Sequence, residues 1–320
     1  MPGVGTVGDA GGQARLLAQS AAVRGQLTIA NQQVATGRIA ETYGGLGVGA
    51  RVSLDLRPQV AHEEMWQANI TSATGRLAVT QDALKSIGAI ASDLYARTNQ
   101  LNGLDQFDAG NVAALAKQGL ERVAQLLNTK VGDVYVFAGQ DTGTPPVPDT
   151  SPAALTAALL GNADPAPFAA TLGADVPTIE VGEGQRVQVG LLANRNTLVT
   201  SAPPTTGSYM RDILRGLATL SGVSNGPALQ ATAAGARTRL GSAISALGQE
   251  AGSLGNIQAA LATRQSQSAA TVLALRAQVS DSEDVDLAAT LTKVSALQTQ
   301  LQASYQVIAG ARNLTLAQYL

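Results

Sequence analysis

The chain has 320 residues, a formal net charge of −2, 14% charged residues and 3% aromatics, against about 25% charged in an average soluble domain. Scattered Lys and Arg at near-neutral charge exclude an electrostatic nucleic-acid footprint, and the lack of Cys with a single His, His62, excludes disulfides, thiolate metal centres and any site built on two histidines. No window approaches about 18 consecutive apolar residues, so no membrane insertion is expected, and the polar, Gly-rich stretch Met1 to Gly12 lacks the basic and apolar regions of a cleaved secretory signal.

The length permits two or three domains. Gln13 to Gly37 reads as a first helix, with Leu16, Val23, Leu27 and Val34 spaced 7, 4 and 7 along one face. Tyr43 to Gly49 is Gly-rich and reads as a hinge or loop. Pro58 suits the first turn of a second helix that runs to about Asn102, a rod of about 65 Å, with Ile70, Leu77, Leu84, Ile87, Leu94 and Leu101 in register. A third helix follows Asp108-Ala109-Gly110 and ends near Lys130, with Val112, Leu115, Val123 and Leu126 on one face. Val131 to Gly139 alternates as a short strand.

From Gln140 to about Pro204 the composition turns to Pro, Gly, Thr and Asp, which excludes a continuous helix and marks an inserted module. Ile179 and Val181 before Gly182-Glu183-Gly184, and Val187 and Val189 after it, predict a hairpin. Met210, Ile213, Leu214, Leu217 and Leu220 form a short amphipathic helix, and Gly222 to Pro227 breaks the chain. A long helix then runs to about Val279, with Leu240, Leu247, Leu254, Leu261 and Leu275 in heptad register and Ser268 interrupting. Ser280-Asp281-Ser282-Glu283 has the form of a capping box for a separate last helix, with Asp284 and Asp286 in its first turn and Leu287, Val294, Leu301 and Ile308 along its seam.

The fold class is therefore mainly α: a nested bundle of N- and C-terminal coiled-coil helices with a small β-containing central insert. Residues 1–40 with 284–320 are expected to form a terminal coiled-coil domain, 41–140 with 205–283 a helical bundle, and 141–204 an outer insert. Chemistry-bearing motifs are weak. Gly3 to Gly8 satisfies G-x-G-x-x-G without a preceding strand or a βαβ unit. His62-Glu63-Glu64 lacks a second His at helical spacing. Tyr135 and Phe137 stand beside Asp133 and Asp141, which oppose a phosphate backbone. Residues 141–204 hold no His, Cys or Lys, so no catalytic, cofactor or metal site is expected and the chain reads as a non-enzyme.

The order of parts resembles the bacterial flagellin family of flagellar axial proteins. Asp284-Val285-Asp286-Leu287-Ala288, then Leu297 to Tyr305, then Leu314-Thr315-Leu316 and Leu320 are similar to that family's C-terminal signature. Thr36-Gly37-Arg38-Ile39 resembles the segment closing its first helix, without the residue usually found between Gly and Arg. Val134 to Gly139 with Thr144-Pro145-Pro146 resembles the hook-associated branch, which joins hook to filament. Ala40-Glu41-Thr42-Tyr43 replaces the Asn and paired Asp of many members, which removes acids used in family contacts, recognition by innate immune receptors among them.

The resemblance covers about residues 1–140 and 205–320. It implies a structural subunit at the hook–filament junction, with the filament subunit as the alternative reading and a free-standing coiled-coil adaptor as a remote one. It further implies self-assembly with identical subunits, contact with other axial proteins, an export chaperone, and an extracellular place on the flagellum reached by type III export without a cleaved signal. The assembly residues it implies are Leu16, Val23, Leu27, Val34, Leu287, Leu291, Val294, Leu301, Tyr305 and Ile308. Isolated helices of modest length are marginal in water, so such ends are expected to order on docking.

Overall fold

The computed structural model describes residues 5–101, 108–161, 166–200 and 206–317. The described chain contains α1 (Gly5–Thr36), α2 (Gly49–Gln100), α3 (Asp108–Leu127), β1 (Lys130–Val131), β2 (Val134–Tyr135), α4 (Pro152–Leu160), β3 (Thr178–Gly182), β4 (Gln185–Gln188), α5 (Tyr209–Ser221), α6 (Leu229–Glu283) and α7 (Leu287–Ala317). It divides into two compact units, residues 1–62 with 271–320 and residues 63–270. The boundaries fall inside α2 and α6.

The larger unit owns the main core. Leu77, Leu84, Ile87 and Leu94 of α2, Leu120, Val123 and Leu127 of α3, Ile213 and Leu217 of α5, and Leu240, Leu254 and Leu261 of α6 are buried in one continuous cluster. The expected heptad positions therefore do point inward. Helices approach closely at glycines: Leu247 of α6 lies over Gly88 of α2, Leu94 of α2 over Gly119 of α3, and Leu240 of α6 over Gly216 of α5. Ser268, which interrupts the seam, is buried and donates to the Glu63 carboxylate across the α2–α6 interface.

The segment rich in proline joins this same core through Leu155 and Leu159 of α4, Phe168, Val181, Val189 and Leu191. The expected hairpin is present as β3 and β4, with Ile179 opposite Val187, Glu180 opposite Arg186 and a bulge before Gly182. Gly184 closes its turn at φ +66°, a conformation cheap only for glycine. Helix α4 was not expected; Pro152 fits its first turn, where a missing N–H costs nothing.

Four sequence expectations are corrected. Val131 to Gly139 is not one strand: β1 and β2 pair antiparallel across Gly132, which sits at φ +60°, and Val136, Phe137 and Ala138 continue beyond them as buried chain. Helix α1 starts at Gly5, ahead of Gln13, so the glycines at 8, 11 and 12 do not stop it. Helix α2 starts at Gly49, so Pro58 lies in its interior. And Ser280 to Glu283 is no capping box: α6 continues through Glu283, the Ser280 hydroxyl donates to Asp284 Oδ2 at 2.5 Å, and Glu283 turns to α2.

In the smaller unit α1 and α7 run antiparallel. The end of α1 meets the start of α7 through Ile39 N–H to Glu283 C=O at 2.7 Å and Val285 N–H to Gly37 C=O at 3.0 Å, and Arg38 bridges Asp284. Gly37 turns the chain at φ +72°. Asp286 is the true cap of α7, its Oδ1 accepting from the amides of Ala288 and Ala289 at 2.9 and 3.0 Å.

A candidate assembly site at the paired chain ends

Every long-range expectation for assembly falls in the smaller unit, so the site is built there from the two end helices. Val23 and Ala30 of α1 and Val294 and Leu297 of α7 form its buried core, with Leu27, Val34 and Leu301 packed against it. Five of the ten expected assembly residues, Val23, Leu27, Val34, Val294 and Leu301, thus meet within one chain. Leu16 and Ile308 are half-buried. Leu287, Leu291 and Tyr305 are 48%, 51% and 43% exposed and do not belong to that buried cluster.

Exposure is unusual around this site. Of the fifteen large exposed apolar residues among the described ones, twelve belong to the smaller unit: Leu17, Ile29, Ile39, Tyr43, Val48, Val52, Leu54, Leu273, Leu287, Leu291, Tyr305 and Val307. Val48 is 95% exposed. Among the described residues the α1–α7 seam of the unit holds four buried apolar side chains, Val23, Ala30, Val294 and Leu297, each worth about 1.5–3 kcal/mol at most for the larger ones. Two long helices joined along so thin a seam hold weakly unless more apolar surface is covered.

What fixes the start of α2 to the end of α6 is polar. Arg57 donates Nε–H to Glu283 Oε1 at 2.7 Å and Nη2–H to Oε2, while Ser53, one turn earlier on α2, donates its hydroxyl to Oε1. Glu283 is 5% exposed. The bond from Arg57, supported by Ser53 and the nearby charge of Arg38, lowers its pKa to about 2 against the opposing effect of burial; the same bond raises that of Arg57. Gly49 lets the backbones close, since a Cβ there would stand 3.0 Å from the Ser282 carbonyl oxygen.

This anchor accounts for an interior proline. Pro58 removes a ladder bond and crowds the carbonyl of Leu54, at about 3 kcal/mol. Ser53 and Arg57 hold the turn preceding it. Sequence reasoning missed Ser53, Arg57, Ala30 and Leu297. Ala30 and Leu297 did lie in heptad phase with Val23 and Leu301, but Ser53 and Arg57 left no local trace.

At mid-helix Arg24 of α1 lies over the ring of Tyr305 of α7, 5.6 Å from its centroid. His62 is exposed, Trp66 lies under the Arg264 guanidinium, and Glu63 pairs with Arg264 at 3.1 Å. Among the described residues no three His, Asp or Glu converge as metal ligands. Gly3 and Val4 of the G-x-G-x-x-G stretch lie outside the described residues, and Gly5 onward is helix. Tyr319 and Leu320 also lie outside the described residues.

Residues 238–320 match the family model "Bacterial flagellin C-terminal helical region". No curated protein matches the chain in sequence. Among solved structures, a putative flagellar hook-associated protein from Vibrio parahaemolyticus is similar in fold at a TM-score of 0.56 and 13% identity, over 73% of this chain and 97% of that one. Bacillus cereus FlgL aligns at a TM-score of 0.44 and 15% identity, over 73% of this chain and 99% of that one. The chain carries a flagellin-type C-terminal helical region on a helical fold shared with a hook-associated protein.

Proposed function

We propose that this chain is a structural subunit of the bacterial flagellum, an axial protein of the hook–filament junction similar to hook-associated protein 3, and that its role is not catalytic. One observation carries the reading: the unit formed by the two chain ends is the smaller, yet it displays twelve of the fifteen large exposed apolar residues. A monomer gains nothing from that distribution. A polymer uses it, since each subunit covers its neighbours' apolar side chains. The match of residues 238–320 to the flagellin C-terminal helical region supports the reading for the C-terminal part of this unit, which holds Leu273, Leu287, Leu291, Tyr305 and Val307.

In this reading residues 1–40 with 284–320 form the assembly domain, 41–140 with 205–283 the surrounding bundle, and 141–204 the outward insert. Leu16, Val23, Leu27, Val34, Val294, Leu301 and Ile308 hold α1 to α7 and set the surface that neighbours read; Leu287, Leu291 and Tyr305 contact those neighbours. Partners are identical subunits, other axial proteins and an export chaperone, and the protein works outside the cell, on the flagellum. The filament subunit is the second reading, favoured by the family named for residues 238–320.

Electron microscopy of the purified protein under polymerising conditions, beside flagella from a deletion strain, separates the two. Bare hooks with shed filament protein, and no filaments in vitro, establish the junction subunit. Long filaments in vitro establish the filament subunit. Replacing exposed Leu287 and Leu291 with Ser tests the site: the helix content should persist while incorporation is lost, and normal incorporation overturns the assignment of those residues.

A further inference from the structure

We infer that the insert holds a binding cleft for a small neutral aromatic molecule carrying a hydrogen-bond donor, an indole or a phenol in chemical class. The cleft has a volume of about 300 Å³, at the lower end of the range for small-molecule sites and about twice the roughly 150 Å³ that suffices for benzene in an apolar cavity. It is lined by Leu155 and Ala158 of α4, by Pro148 and Asp149 ahead of that helix in the chain, and by Pro167 and Phe168 after it. All of these belong to the larger unit.

The lining sets the body of the ligand. Leu155 and Phe168 are 1% and 4% exposed and belong to the main core, so the apolar floor is already packed and does not have to form on binding. Pro148 and Asp149 are exposed and mark the mouth. Of the described residues that line the cleft, only Asp149 has a polar side chain. Water needs about two to four polar partners to be well held, and an apolar body that displaces poorly held water gains affinity. Phe168 supplies a ring for offset or edge-to-face contact, which favours an aromatic body over an aliphatic one of equal size.

Two charges set its polar end and select against ions. Asp149 Oδ1 accepts from the Ser151 amide at 2.8 Å, and the hydroxyl and amide of Ser151 hold the Asp149 carboxyl below its ordinary pKa. At neutral pH it is therefore ionised and can only accept, and a carboxylate has lone pairs beyond those that Ser151 occupies. A ligand N–H or O–H suits it and an anion is repelled. Arg211 of α5 lies over the Phe168 ring, 5.5 Å from its centroid. That places a positive charge beside the floor, which disfavours a cation there. A neutral donor on an aromatic body satisfies both.

The site stands apart from the assembly reading. Its residues lie between 148 and 168, whereas that reading rests on the helices at the two chain ends, so binding and polymerisation succeed or fail separately.

The test is calorimetric titration of the full-length protein with indole, 1-methylindole, tryptamine and indole-3-acetate, with circular dichroism to check that each variant is folded. Indole should bind saturably at a single site. 1-Methylindole keeps the ring system without the donor and should bind several-fold more weakly, as should the cation tryptamine and the anion indole-3-acetate. Asp149→Ala should bring indole down to the level of 1-methylindole, and Ala158→Trp, which fills the cleft from α4, should abolish binding. Should Ala158→Trp not fold, the Asp149→Ala comparison decides alone, since Asp149 is exposed and outside the core. No saturable binding of indole, equal affinity for indole and 1-methylindole, or binding that survives in folded Ala158→Trp overturns the proposal.

Discussion

Arg57 and Glu283 are 226 residues apart in sequence and share two parallel hydrogen bonds, Nε to Oε1 and Nη2 to Oε2. A bidentate Arg–carboxylate pair is stronger and more directional than a point contact, and here the carboxylate is almost wholly covered while the guanidinium is 44% exposed. Removing the cation strands a buried charge. Arg57→Ala should therefore cost more than the pair is worth, about 2 kcal/mol after allowance for solvent at the guanidinium. Hydrogen exchange of the last turns of α6 and the first turns of α2 is the readout, and unchanged protection there would refute the anchor.

The same pair fixes a pH dependence. Glu283 is lowered from 4.5 in the unfolded chain to about 2 in the fold, so the unfolded chain binds the proton first. Stability from this group is complete above about 4.5 and is lost as pH falls towards about 2. Wild type and Glu283→Gln should thus differ most at neutral pH and converge across that acid window. A difference independent of pH would mean that the carboxylate charge contributes nothing.

Glu250 has the opposite sign. It is fully buried in α6 and accepts the amides of Thr197 and Leu198 at 3.1 Å, yet burial raises its pKa above the ordinary value. A raised carboxylate loses stability as pH rises through the shifted range, because the fold then holds the proton more tightly than the unfolded chain. Glu250→Gln keeps an acceptor without the charge and should change neutral-pH stability by under about 1 kcal/mol, whereas Glu250→Leu leaves two buried donors unmet at about 2–3 kcal/mol. Urea denaturation of both variants separates charge from hydrogen bonding.

The seams of α2, α6, α1 and α7 were legible because burial along a helix repeats at a period the sequence must respect: Leu240, Leu254 and Leu261 are all inside. The hairpin at Gly184 was legible through its turn. Other features were not, for a physical reason. Ser280 and Glu283 fit a local capping pattern, but a partner arriving from α2 outbid the local amide, and no window of sequence contains both. Likewise the segment with six prolines between 145 and 167 hid α4, because Pro152 starts a helix as readily as it stops one. At the assembly site the ten residues were named from periodicity and family resemblance, and periodicity does not separate Val294, which is covered by its own chain, from Leu291, which is not.

Asp286 supplies the α7 cap through two amide bonds. Asp286→Ala should cost about 1 kcal/mol, and Asp286→Asn about half of that or less, since the amide oxygen still accepts. The amides of Ala288 and Ala289 should exchange faster in the alanine variant while the α2 anchor keeps its protection. Loss of protection at Ser53 and Arg57 instead would show that the cap and the anchor unfold as one unit.

Glycines in helices give the last prediction, because two of them differ only in surroundings. At Gly216 of α5 an added Cβ would stand 2.8 Å from Cγ and Cδ2 of Leu240, a residue with no exposure. At Gly248 of α6 nothing lies within 4 Å. Alanine gains about 0.5–1 kcal/mol over glycine in a helix interior, so Gly248→Ala should stabilise by that amount. At Gly216 the branch carbon of Leu240 must move as well as a methyl tip, and overpacking of this kind costs about 1–3 kcal/mol. Gly216→Ala should thus destabilise by about 1 kcal/mol in spite of its better propensity. Pairing it with Leu240→Ala, which vacates the contested space, should make the glycine replacement favourable again; a double-mutant cycle with no coupling would show that α5 and α6 do not meet through these two residues.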